Sequence, residues 1–181
     1  GTSIKMGFSQ DNDYVKDILK TARTDIKYEF APGWNFHWGL SHREAEQNFD
    51  HFYSGSICKA DKTPTSTDKG CYKGYINQTY YWQQTTNKTT ANTWDISGEF
   101  ITGGIKHNVL VGTDWTYEQR EPLLSNKNQD GSLIYGFVNP LTGDRFSNRG
   151  NGHIITSHNY NEGTNYGVFL QDLVSFNDQI K

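Results

Sequence analysis

Polar and apolar residues alternate one by one along much of this chain. From Thr24 the order is Thr, Asp, Ile, Lys, Tyr, Glu, Phe, so Ile26, Tyr28 and Phe30 share one face and Asp25, Lys27 and Glu29 the other. A period of two marks a strand, because successive side chains point to opposite sides of it. Ala31, Pro32 and Gly33 then read as a tight turn. In the next strand Trp34, Phe36, Trp38 and Leu40 alternate with Asn35, His37, Gly39 and Ser41. A third sets Trp94, Ile96, Gly98 and Phe100 against Asp95, Ser97 and Glu99, and Thr102, Gly103 and Gly104 close it with a second tight turn. A fourth rises from His107, with Val109, Val111, Thr113, Trp115 and Tyr117 opposite Asn108, Leu110, Gly112 and Asp114. The fifth carries Tyr166, Val168, Leu170, Val174 and Phe176 on one face, which Asp172 interrupts.

Residues 12–23 read two ways. Tyr14, Val15, Ile18, Leu19 and Ala22 fall at helical spacing behind Asn12 or Asp13 as a cap. The alternation that follows at once favours a strand beginning near Ile18.

The connections also alternate. Strands one and two, and strands three and four, are joined by a few residues. Strands two and three are separated by a long polar stretch, and four and five by another from about Pro122 to Tyr160. Loops of that length are uncommon in compact soluble domains. Short turns on one side and long loops on the other are the layout of an outer-membrane barrel, whose strands present alternate residues to lipid and to a polar lumen. Trp34, Phe36 and Trp38 beside a tight turn suit an aromatic girdle at the membrane interface. The expected fold is all-β: the antiparallel wall of a transmembrane β-barrel, about five strands of a larger barrel, with short periplasmic turns and long extracellular loops. A soluble antiparallel sheet with one wet face would alternate equally well. The loop asymmetry and the girdle favour the membrane.

Composition sharpens this picture. Only 34% of residues are apolar but 14% are aromatic, which excludes disorder and suits half-buried strands. The net charge of −3 comes with no Lys/Arg cluster, which sets nucleic acid aside. No apolar run approaches the length of a membrane-spanning helix, and no signal peptide opens the chain. Cys58 and Cys71 flank a polar stretch holding Pro64 and Gly70. A disulfide closing a surface loop in an oxidising compartment is expected, with two free thiols as the alternative. Zinc does not suit them, for there is no CxxC unit and no His between them.

Three blocks carry a specific resemblance. TDIKYEFAPGWNFHWGLSHREAEQNFDHFYSGS, NTWDISGEFITGGIKHNVLVGTDWTYEQRE and NYGVFLQDLVSF resemble, in that order, barrel hairpins and a strand of TonB-dependent siderophore receptors. They cover most of the chain from about Lys20 to Phe176. The resemblance implies residence in the bacterial outer membrane, among its lipid. It implies binding and import of ferric siderophores, with energy relayed by TonB through a plug domain. Residues 1–181 show neither the plug nor the TonB-contacting motif. The chain ends in Asp178, Gln179, Ile180 and Lys181 where such barrels usually end in an aromatic residue. It therefore reads as part of the barrel domain of a longer receptor.

Ligand contacts would come from the long loops and the upper strand ends, where aromatic faces, His and Arg suit bulky chelates. His51, Phe52, Tyr53, Tyr80, Tyr81, Trp82, Tyr117, Arg120, Tyr135, Phe137 and Arg145 fall there. Each has loop packing or solvent exposure as its ordinary alternative role. His42, Glu44, Glu46 and His51 suggest a metal, but the first three form one outward row, so a girdle or loop role fits better. No resident cofactor is expected, the ferric siderophore being cargo. No nucleophile motif or buried acid–base couple stands out, so no enzyme is expected. The competing reading is a secreted or cell-surface all-β module that binds carbohydrate, with Asn77 and Asn87 as glycosylation sites.

Overall fold

A computed structural model describes residues 7–176, and within them the chain forms strands and turns but no helix. The terminal residues 178–181 noted above lie outside the described residues. Four long strands come first: β1 (Tyr14–Ala31), β2 (Trp34–Ile57), β3 (Ile76–Thr102) and β4 (Ile105–Ser125). Five short ones follow, β5 (Lys127–Asn128), β6 (Tyr135–Val138), β7 (Arg145–Ser147), β8 (His153–Ile154) and β9 (Ser157–His158), and then the long β10 (Asn161–Ser175). The segment open to two readings is extended, with β1 beginning at Tyr14 rather than near Ile18. Asp13 caps no helix. Its carboxylate accepts from the backbone N–H groups of Gln10 (2.8 Å) and Phe52 (3.3 Å).

The long strands lie side by side in the order β1-β2-β3-β4-β10, and the sheet is open, with β1 and β10 at its two ends. The β1–β2 connection is Pro32 and Gly33, and the β3–β4 connection is Gly103 and Gly104. Both glycines of the second turn take the left-handed conformation (φ 57° and 83°), the geometry a two-residue hairpin turn demands. β10 runs antiparallel to β4 from Asn161 opposite Arg120 to Ser175 opposite Lys106. Asp172 interrupts the apolar face of β10 because it pairs with His107 on β4, Nδ1 to Oδ2 2.8 Å.

The chain divides into two compact units. One gathers the chain up to Ile18, Glu46–Thr86 and Glu121–Tyr160, and the other gathers Leu19–Ala45, Asn87–Arg120 and the chain from Asn161. We call them the loop unit and the sheet unit.

In the sheet unit the alternation of the strands sorts side chains onto two faces. Trp94 packs tilted against Phe36 and Trp38, with ring centroids 5.7 and 5.8 Å apart. Register sets Trp115 opposite Tyr166 and Val111 opposite Leu170 on the same face. Much of that face is bare: Tyr28 is 63% exposed, Tyr166 78%, Leu170 77% and Val168 84%. The opposite face is polar. There His37 sits between Asp95 (2.7 Å) and Asp25 (3.2 Å), and Arg23 holds Asp25 at 2.6 Å.

The loop unit has the molecule's buried apolar core, among the described residues. Phe52, Tyr80, Trp82 and Ile134 cluster together, with Leu123 against them. β6 pairs with both β3 and β7, bringing the fully buried Phe137 within 4.7 Å of Tyr72 and 5.1 Å of Phe146, ring centre to ring centre. Two buried glutamines stitch this together. Gln10 Nε2 donates to Gln78 Oε1 (2.6 Å) and to the carbonyls of Phe137 and Phe146, and Gln78 Nε2 donates to Phe8 O (2.6 Å). The expected disulfide is present: Cys58 and Cys71 are bonded, 13 residues apart. The loop they close is tied further by paired backbone bonds between Lys62 and Cys71 (2.7 and 2.8 Å).

Candidate functional site

β3 begins at Ile76, so Tyr80, Tyr81 and Trp82 lie on a strand and not within the long polar loop. The strand separates them by face. Tyr80 and Trp82 point into the loop unit's core, and Tyr81 points the other way. His51 and Tyr53 of β2 join Tyr81 there, forming an aromatic row with Phe49. The His51 ring meets Tyr53 edge-on at 4.3 Å, Phe49 at 5.8 Å and Tyr81 at 6.2 Å. Its Nε2 is buried with no hydrogen-bond partner among the described residues.

On the core side lies a cavity of about 600 Å³, lined by Tyr14, Asp50, Tyr80, Trp82, Ile134, Arg149 and His153 together with Asn12, Gly150, Asn151 and Gly152. That is within the usual range for small-molecule sites. Arg149 is its centrepiece. One guanidinium nitrogen binds Asp50 (2.8 Å) and Asp13 (3.0 Å), and another donates to the Asp11 carbonyl. Its Cζ lies over the rings of Phe52 and Tyr80, 5.1 and 5.9 Å from their centres. A buried charge needs such partners, because leaving it unpaired in a low-dielectric interior is costly. The Tyr80 hydroxyl donates to Asp50 Oδ1 at 3.0 Å, which holds the carboxylate in place for Arg149. His153 stacks on Trp82 with centroids 4.0 Å apart. Burial holds its imidazole below the ordinary 6.5, and the nearby Asp50 only partly opposes that.

The remaining sequence candidates are dispersed. Tyr117 and Arg120 belong to the sheet unit, where the Tyr117 hydroxyl donates to Glu162 (2.8 Å) and Arg120 lies opposite Asn161. Phe137 is fully buried and presents no surface to a ligand. Tyr135 is half-buried beside it, rings 5.8 Å apart. Arg145 donates to the carbonyl of Ser9 at 2.6 Å, fastening the segment before β1. His42 bonds Thr90 (2.9 Å) and Glu46 bonds Asn48 (2.6 Å). Among the described residues no three His, Cys, Asp or Glu side chains gather as metal ligands.

Sequence reasoning missed Asp13, Asp50, Arg149 and His153. Arg149 and Asp50 are 99 residues apart, so no local pattern joins them. One signal was available: Arg149 is the sole charge in the stretch SNRGNG, where a lone cation has no neighbour in sequence to neutralise it. No family model matches the chain, and no curated protein matches it.

Proposed function

We propose that the chain is part of the barrel of an outer-membrane TonB-dependent receptor that binds and imports ferric siderophores. The observation that carries this reading is the architecture of the long strands. β2 and β3 have 24 and 27 residues, where about 9–11 cross a bilayer. They are joined to their partners by two-residue turns at one end and by long folded loops at the other. The bare apolar face of the sheet unit adds support, since hydrocarbon is the solvent in which such a face needs no cover. The three sequence blocks that resemble the family supply the ligand class. On this reading the sheet unit meets lipid and the loop unit carries the extracellular loops that meet ferric siderophore. The plug, and TonB acting through it, belong to the rest of the receptor.

The test is radio-iron uptake in a bacterial host lacking its own siderophore receptors, supplied with the full-length receptor. TonB-dependent uptake of iron from at least one siderophore is expected. Cysteine placed at Gly33 should resist an impermeant label on intact cells, while the loop at Asp130 should accept it. Label entering at Gly33 from outside contradicts the orientation, and no uptake from a broad siderophore panel contradicts the function.

A further inference from the structure

We propose that the cavity around Arg149 sorts chelates by charge, admitting neutral and cationic ferric complexes and turning away multiply anionic ones. This deepens the receptor reading and rests on it.

An arginine in a binding cavity ordinarily suggests an anion site, because its fork of donors matches carboxylates and other oxyanions. Here that capacity is already used. Arg149 binds Asp50 and Asp13 and donates to the Asp11 carbonyl, and only 11% of its side chain is open to solvent. Two carboxylates against one guanidinium leave a net negative charge beside the cavity. No lysine lines it. The one other lining group able to become positive, His153, is stacked on Trp82, and burial disfavours its charged form. An incoming polyanion would therefore meet repulsion and find no free cation to offset it, within a protein surround that screens charge less than water does.

What the cavity offers is neutral hydrogen bonding. Asn12 and Asn151 line it and have no side-chain hydrogen bond to the protein among the described residues. Amide groups suit the carbonyl and hydroxamate oxygens of an uncharged or cationic chelate. Asn151 is exposed, so its charge can be changed with little disturbance to the core.

The experiment titrates the detergent-solubilised full-length receptor at low salt with a panel of chelates grouped by charge. The panel holds cationic and neutral ferric hydroxamates and trianionic ferric catecholates. The best hydroxamate is expected to bind at least ~10-fold more tightly than the best catecholate, a gap that narrows as salt is raised. Asn151→Lys should shrink that ratio several-fold and Asn151→Asp should widen it. Tighter binding of a catecholate by the unaltered receptor overturns the charge inference and leaves the siderophore reading standing. A ratio unmoved by either Asn151 variant also overturns it, since the ligand then lies elsewhere. Binding of no chelate in the panel overturns both.

Discussion

The loop unit and the sheet unit are built from the same strands yet treat apolar side chains in opposite ways. β2 alone runs from Trp34 in the sheet unit to Ile57 in the loop unit. In the loop unit Tyr80 is 3% exposed and Phe137 and Val138 are closed to solvent altogether. In the sheet unit Tyr166, Val168 and Leu170 are each more than three-quarters exposed. A water-soluble protein rarely leaves so large a contiguous apolar face uncovered. The difference teaches that the loop unit supplies its own apolar interior, whereas the sheet unit leaves its apolar face bare, a face that the proposed reading covers with lipid.

The sharpest way to break this comparison is to cut equivalent side chains from each unit. Phe137→Ala should destabilise the loop unit by about 3–5 kcal/mol, through lost burial and the cavity left behind. Val168→Ala should change stability by no more than about 0.5 kcal/mol. Urea unfolding in micelles measures both, and equal costs would erase the distinction. A charge provides the converse probe. Val168→Arg should cost about 2–4 kcal/mol if that position meets the middle of a bilayer. The same exchange on a wet face would be nearly neutral, so folding into vesicles with and without it sharpens the assignment of the face.

Smaller effects stay within the loop unit. Replacing Cys58 and Cys71 together by Ser should cost about 2–3 kcal/mol, by restoring freedom to the unfolded loop. Hydrogen exchange should rise between residues 58 and 75 and stay unchanged in β10. The smallest effect is that of His153. Burial lowers its folded pKa, so the unfolded chain takes up a proton first as pH falls. Its contribution is present above the unfolded value near 6.5 and is lost as pH drops from there through the depressed folded value. Asp50, Arg149, Tyr14 and Tyr80 share the cavity with it. Comparing the unaltered protein with His153→Phe across that interval isolates the contribution of the imidazole, and the variant should lose less stability on acidification.

Legibility in the sequence followed the same division. In the sheet unit one face is apolar and one polar, so Ile26, Tyr28 and Phe30, or Val109, Val111 and Trp115, display the period of two openly. The first half of β3 hides it. Its buried row includes Gln78, fully enclosed and satisfied by Gln10 and the Phe8 carbonyl, so a core position looks polar. Thr85 is buried as well, in a run of Thr, Asn and Gln that reads as loop. β5 to β9 have two to four residues each, too few for any periodicity, and form only because distant partners meet. The disulfide was legible from two cysteines around a turn-rich stretch. The cavity was not, because Asp13, Asp50 and Arg149 come from three separate stretches of chain. Of the expected site residues, His51, Tyr53 and Tyr81 meet one another and Trp82 reaches the cavity. Tyr80 lines the cavity as well and bonds Asp50, whereas Phe137 is packed in the core and Tyr117 and Arg120 lie in the sheet unit.

The central claim is that the sheet unit's apolar face requires an apolar medium. It is tested most directly by preparing residues 1–181 without detergent and measuring mass by light scattering alongside near-ultraviolet circular dichroism. Open edges at β1 and β10 and a bare apolar face should drive this chain to aggregate or pair edge to edge, with ordered monomer recovered only in detergent or lipid. A monodisperse soluble monomer with a cooperative unfolding transition would contradict the account and favour a secreted binding module.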